Sequence, residues 1–139
     1  MATTIRPEVS IKNRYYIDKH RHYELKHFCL QYPRWKKAYI DSLDADIPLS
    51  MVEGAHTSEG VYDPTASRAV TRAYYSKRMQ MLEQVAKDAD KYLWFYILKA
   101  VTEGLSYTYL KTKLDIPCGK DMYYDRYRRF FWLLSELRD

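Results

Sequence analysis

Glycine, proline and cysteine are scarce in this chain. Its 139 residues include four Gly, five Pro and two Cys, whereas aromatic residues make up 16%. This composition argues against disorder over most of the length. Cys29 and Cys118 lie far apart and show neither a CxxC motif nor a Cys/His ligand spacing. We therefore expect free thiols in a reducing compartment.

Long hydrophobic runs are missing as well. No apolar stretch approaches the length of about 18 residues that a membrane helix requires. Residues 1–7 also lack the apolar stretch of a signal peptide. These patterns predict a cytoplasmic protein with no membrane partner.

Charge is unevenly distributed, although the net charge is only +5. Residues 1–43 carry nine Lys and Arg against four Asp and Glu, and residues 66–139 carry 14 against nine. Residues 44–65 carry five acids and no Lys or Arg. Two basic blocks around an acidic connector suit a polyanionic partner. The length fits a single domain over residues 1–139.

The first part of the chain predicts two helices and a loop. Residues 15–43 have apolar positions at helical spacing and predict an N-terminal helical pair. Asp18 suits the N-cap of the first helix, and Pro33 suits the first turn of the second. Residues 44–65 combine Pro, Gly, Ser and acids with little period, so we expect a long acidic loop that is apt to bind a partner.

The rest of the chain is helical in pattern. Asp63 and Pro64 suit a helix start, and apolar residues recur from there to about Asp88. The stretch Tyr92–Glu103 is apolar nearly all round, which predicts a central helix. Because no strand alternation of useful length occurs, the expected fold class is all-α, a compact helical domain.

The last third has the element order of a helix-turn-helix, over residues 92–137. Gly104 ends the central helix, Ser106 begins a short helix to Leu114, and a turn follows at residues 115–119. A basic aromatic helix then covers Lys120–Leu137. In a helix-turn-helix, the second helix enters the major groove of duplex DNA.

The final helix has an apolar side and a basic side. At 100° per residue, one stripe packs inward within roughly 40° of Tyr123. It contains Tyr123, Tyr127, Phe130, Leu134 and Leu137. Trp132 points to the opposite side, where a dimer contact or packing against the N-terminal helices would cover it.

The residues predicted to bind DNA are Lys111, Lys113, Lys120, Tyr124, Arg126, Arg128 and Arg129. Lys120, Tyr124 and Arg128 lie near the start of the final helix and are the best candidates for nucleic-acid contact, to bases or to phosphates, whereas the others suit phosphates. Asp121 and Asp125 would repel phosphate unless they pair with Arg128 or Arg129, or accept a hydrogen bond from cytosine. A plain amphipathic helix with a solvated basic flank is the alternative.

Several of these residues carry a family resemblance. They are the run Gly104–Tyr107, then Leu110, Leu114 and Ile116, and the run Tyr123–Phe130. This frame resembles the C-terminal half of phage late-gene regulators of the RinA and ArpU type, whose helix-turn-helix is similar to the promoter-reading region of sigma factors. The resemblance covers about residues 92–137. It implies a transcription regulator that binds duplex DNA in the cytoplasm of a host bacterial cell.

A protein partner is the second hypothesis. A phage-encoded interaction protein could use the same scaffold to inhibit or redirect a host protein, such as a defence nuclease or RNA polymerase. The acidic residues 44–65 favour this reading, because they could imitate nucleic acid on a basic surface. A homodimer would match operator half-sites, whereas a packaging protein would form a ring.

Enzyme chemistry has no positive support in the sequence. No nucleophile elbow, Gly-rich phosphate loop or paired acidic motif occurs. His20, Glu24 and His27 share one helical face, but their spacing is not the HExxH pattern, and an ordinary polar surface is the more frequent state. We expect no metal, no cofactor and no catalytic residue.

Overall fold

The computed structural model describes residues 11–43 and 64–138, and within these ranges every regular element is an α-helix. The predicted all-α fold class is therefore confirmed. The helices are α1 (Lys19–Leu30), α2 (Tyr32–Ser42), α3 (Pro64–Ala89), α4 (Trp94–Glu103), α5 (Tyr107–Lys113) and α6 (Lys120–Leu137). Most of the predicted acidic loop and the first ten residues lie outside the described residues.

The N-terminal helices begin where their sequence predicts. The Asp18 carboxylate accepts a hydrogen bond from the His20 amide at 2.9 Å, which confirms the predicted N-cap of α1. Gln31 separates α1 from α2, and Pro33 lies in the first turn of α2. Proline is tolerated there because the amides of a first turn have no partner within the helix.

α2 and α3 form an antiparallel pair. The Tyr32 hydroxyl, at the start of α2, lies 2.8 Å from a carboxylate oxygen of Glu83 in the second half of α3. Ala38, later in α2, lines a groove with Tyr74 and Tyr75 from the first half of α3. This pair packs beside the remaining helices, because α3 also contacts α4 and α6.

In the core, one side of each long helix packs around α4. Its fully buried side chains include Leu25, Leu82, Ile97, Leu110 and Phe130, from five different helices. Burial of such apolar area is the main favourable term in folding. None of the helices in residues 11–43 and 64–138 is long and apolar enough to cross a membrane.

Two helices differ in detail from their predicted faces. Phe95 of α4 is 51% exposed, and Tyr92 precedes the helix and is 77% exposed, so α4 is buried on one side only. In α6, the inward stripe is buried except for the terminal Leu137. Phe131 joins it, because its ring packs 4.8 Å from the ring of His22 on α1.

A six-residue turn sets the start of α6. Asp115 adopts the left-handed conformation with φ of 53°, and the amide of the fully buried Ile116 donates to the carbonyl of Leu110 at 3.1 Å. The Tyr107 hydroxyl donates to the Cys118 carbonyl at 2.8 Å. These contacts attach the turn to α5 and thereby place the first turn of α6 at the surface.

Candidate nucleic-acid interface

The beginning of α6 presents a solvent-exposed surface. Lys120, Asp121 and Met122 are exposed, whereas the next residue, Tyr123, is fully buried. Gly119 occupies the N-cap position and provides no side-chain hydrogen bond to the first-turn amides. The unpaired amides and the helix dipole give this end of α6 a partial positive charge.

Tyr124 forms a platform beside Lys120. Its ring is half-buried and lies 5.3 Å from the ring of Tyr123 and 6.3 Å from that of Tyr107. The Lys120 ammonium lies 5.9 Å above the Tyr124 ring, within the range of a cation–π interaction. Burial raises the pKa of Tyr124, although the charge of Arg128 opposes this shift. The phenol therefore stays neutral and remains a hydrogen-bond donor at physiological pH.

Arg128 completes this side of the helix. Among the described residues, Arg128 has no carboxylate within ion-pair distance, and Asp121 has no cation within that distance. The predicted pairing of Asp121 with Arg128 is thus not observed in this part of the chain. Positions 120, 124 and 128 are four residues apart, so Lys120, Tyr124 and Arg128 follow one another along the same side of α6.

α5 adds two lysines near the turn. Lys111 and Lys113, for which phosphate contacts are predicted, are both exposed. The Lys111 ammonium donates to the Ile116 carbonyl at 3.4 Å, which holds its side chain against the turn that leads into α6. This places Lys111 close to the start of α6.

Arg126 and Arg129 lie on the other flank of α6 and contact other elements. Arg126 Nε donates to the Asp90 carboxylate at 2.9 Å and its Nη1 pairs with Asp125. Arg129 donates to the Asp88 carbonyl at 3.4 Å and to the Tyr15 hydroxyl at 3.2 Å. Both arginines therefore attach α6 to neighbouring parts of the fold, a role that the sequence did not predict.

Asp90 is the centre of this attachment. Its carboxylate accepts hydrogen bonds from the amides of Tyr92 and Leu93 at 2.7 and 2.8 Å, in addition to Arg126. Burial raises the pKa of Asp90, but the two amides and Arg126 outweigh it and lower the pKa below its usual value. Asp90 is consequently an anion whose charge is largely balanced within the protein.

The N-terminal segment packs against the middle of the outer face of α6. The buried Tyr15 packs 5.9 Å from the ring of Trp132, and Arg14 lies 3.9 Å from Asp125. Trp132 is thus covered by the segment that precedes α1. Asp125 pairs with Arg14 and Arg126 instead of the predicted Arg128 or Arg129. At the beginning of α6, Lys120, Asp121 and Met122 remain exposed.

A groove next to Arg126 and Arg129 contains three cations that the sequence analysis missed. They are Arg14, Lys87 and Lys91, and the groove encloses about 410 Å³. Its carboxylates are Asp88 and Asp90. No local pattern identifies this site, because the residues come from three distant parts of the chain.

The face of α1 that carries His20, Glu24 and His27 lies at the surface, where all three residues are exposed. Glu24 pairs with Arg21 and with Arg138, and His22 is buried against α6. No group of three or more His, Cys, Asp or Glu lies close enough to hold a metal ion among residues 11–43 and 64–138.

Comparison of the chain with protein-family models, curated proteins and solved structures gave no significant match. The resemblance to phage late-gene regulators therefore stays a prediction.

Proposed function

We propose that the protein binds duplex DNA with the first half of α6 and regulates transcription, in the manner expected of a phage late-gene regulator. It would act in the cytoplasm of a host bacterial cell. The observation that carries the proposal is the side of α6 defined by Lys120, Tyr124 and Arg128, where Lys120 is exposed and the other two residues are half-buried. Its two cations have no carboxylate partner among the described residues.

The dimensions of α6 suit this role. A helix with its side chains is about 10–12 Å wide, and the major groove of B-DNA is about 12 Å wide. Lys120 and Arg128 are separated by about 12 Å along the helix axis, a distance of three to four base-pair steps at about 3.4 Å each. Arg128 can donate two hydrogen bonds to guanine, and Lys120 can contact guanine or a phosphate.

The lysines of α5 are placed to contact phosphates when α6 lies in the major groove. Lys111 and Lys113 on α5 are exposed, and phosphate contacts from the helix that precedes the reading helix fix its register on DNA. A homodimer would present two such helices to the two halves of a palindromic operator.

Replacement of Lys120 and Arg128 by Ala tests the DNA surface. We expect the double variant to lose at least about tenfold in affinity for a selected duplex, because one bidentate base contact contributes about 1–3 kcal/mol. Fluorescence anisotropy with a labelled duplex measures the loss, and circular dichroism verifies that the helices remain.

Lys36→Ala/Lys37→Ala is the matched control, because both lysines are exposed on α2 and the change in charge is the same. Equal affinities of the Lys120/Arg128 variant and the wild type would contradict the proposal. Equal losses in the two variants would contradict it too, because they would indicate a response to net charge alone.

A protein partner remains the second candidate, favoured by the exposed aromatic residues at the beginning of α4. Tyr92 and Phe95 lie on the surface in this region. Exposed aromatic side chains are enriched at protein interfaces. A host protein such as a defence nuclease or RNA polymerase would dock there and on the acidic residues 44–65. Capture of that protein by the wild type but not by Tyr92→Ser/Phe95→Ser, with no DNA selectivity in either, would favour this candidate.

A further inference from the structure

We propose that the groove between the N-terminal segment, the end of α3 and the flank of α6 binds a phosphate group of the DNA backbone. This groove, called the arginine–lysine groove below, is formed by Arg14, Lys87, Lys91, Arg126 and Arg129, together with Asp88 and Asp90. The inference rests on the proposed function and adds a second contact surface to it.

The charge of the arginine–lysine groove favours an anion. Five cations and two carboxylates line the groove, and a third carboxylate, that of Asp125, pairs with Arg14 and Arg126. Asp90 is occupied by two backbone amides and Arg126, so its charge is largely compensated within the protein. Arg129 donates only to neutral oxygens, the Asp88 carbonyl and the Tyr15 hydroxyl. Its positive charge is consequently not neutralised by a carboxylate among the described residues.

Aromatic rings hold the two lysines at the edge of the groove. The Lys87 ammonium lies 4.8 Å from the centroid of the Trp94 ring, and the Lys91 ammonium lies 5.0 Å from that of Tyr92. Both lysines are exposed. A ring beneath an ammonium restricts the long side chain and leaves its other N–H donors free. Less conformational entropy is then lost when a phosphate binds.

The position of the groove matches the expected path of the DNA backbone. At 100° per residue, the outward line of α6 runs through Asp121 and Asp125. Arg126 and Arg129 lie on one flank of this line, and Lys120, Tyr124 and Arg128 lie on the other flank. A helix in the major groove has a phosphate chain on each side. With the beginning of α6 in the groove, one backbone would pass Lys111 and Lys113, and the other would pass the arginine–lysine groove.

The salt dependence of binding tests this second contact. The variant Lys87→Gln/Lys91→Gln removes two exposed charges and keeps the arginines that stabilise the fold. Each phosphate contact contributes about 0.9 to the slope of log K against log salt concentration for duplex DNA. With a labelled duplex between about 50 and about 200 mM salt, we expect the slope to decrease in magnitude by about 0.9 relative to the wild type, because the groove binds one phosphate.

Two further features are expected of a phosphate contact. The sequence preference should be unchanged, because phosphates carry no base information. The control Lys36→Gln/Lys37→Gln should retain the wild-type slope, since both lysines lie on α2 and outside the groove.

An unchanged slope in Lys87→Gln/Lys91→Gln, with reduced binding by Lys120→Ala/Arg128→Ala, would overturn the inference and leave the proposed function intact. A reduced slope in the groove variant without any effect of the α6 variant would support the groove and contradict the proposed function. Absence of duplex binding by the wild type would overturn both.

Discussion

At the scale of single residues, Tyr123 shows how a buried polar group can limit stability. Its side chain is fully buried and its hydroxyl has no hydrogen-bond partner in the described part of the chain. Burial also raises the pKa of this phenol, with the neighbouring Tyr127 as the next cause, so the group stays neutral. A buried hydroxyl without a partner costs about 1–3 kcal/mol of desolvation.

Tyr123→Phe should therefore increase the free energy of unfolding by about 1 kcal/mol, because it removes an unsatisfied polar atom and keeps the ring. Chemical denaturation measures the change. The matched variant is Tyr107→Phe, which deletes a hydroxyl that donates to the Cys118 carbonyl at 2.8 Å and should cost about 1 kcal/mol. Destabilisation by Tyr123→Phe comparable to that by Tyr107→Phe would show that the Tyr123 hydroxyl is satisfied.

At the scale of elements, the contact between α1 and α6 depends on a neutral histidine. His22 is buried among the rings of Tyr23, Tyr127 and Phe131. Burial, assisted by the charge of Lys26, lowers the pKa of His22 from 6.5 to about 4. The unfolded chain thus binds a proton more readily than the folded protein between these two values.

The contribution of His22 to the free energy of unfolding should consequently be fully present above about pH 6.5. It should be lost as the pH falls towards 4, by about 3 kcal/mol in total. Denaturation of the wild type and of His22→Gln over this range measures the effect, and the variant should have a flatter pH profile. His27→Gln is the control, because His27 is exposed on the same helix. Equal pH profiles for the wild type and His22→Gln would contradict this account.

The elements also show what the sequence can and cannot predict. Local signals identified helix starts correctly: Asp18 caps α1, and Ser106 caps α5 by accepting from the Tyr109 amide at 3.1 Å. Such caps act within three residues, so the sequence shows them directly. Tyr15 covers Trp132, although the two residues are more than 100 positions apart in the sequence. No periodicity of the sequence reveals such a contact.

The same limit applies to the candidate site. The side of α6 with Lys120, Tyr124 and Arg128 follows from helical geometry alone and needs no tertiary information. The attachment of Arg126 to Asp90, by contrast, requires the turn between α3 and α4 to lie beside α6. Lys87 and Lys91 could not be assigned to a site from sequence for the same reason, since mixed charges at a helix end are typical of ordinary surfaces.

At the scale of the whole molecule, α6 is supported from several sides and open at its beginning. α3 and the segment around Tyr15 pack along it, and Arg21 of α1 donates to Ser135 at 3.1 Å near its end. A reading helix must be held rigidly by its neighbours to contact bases with fixed geometry. The arrangement meets this requirement and leaves Lys120 accessible.

The most direct test of the central claim is selection from a library of random duplexes by the purified protein at two salt concentrations, followed by sequencing of the retained DNA. The account predicts an enriched motif whose binding weakens steeply with salt. In a dimer, the motif would be palindromic, with half-sites about 10 base pairs apart or a multiple of this spacing. Weak, salt-sensitive retention without any enriched motif would contradict the claim that α6 reads DNA sequence.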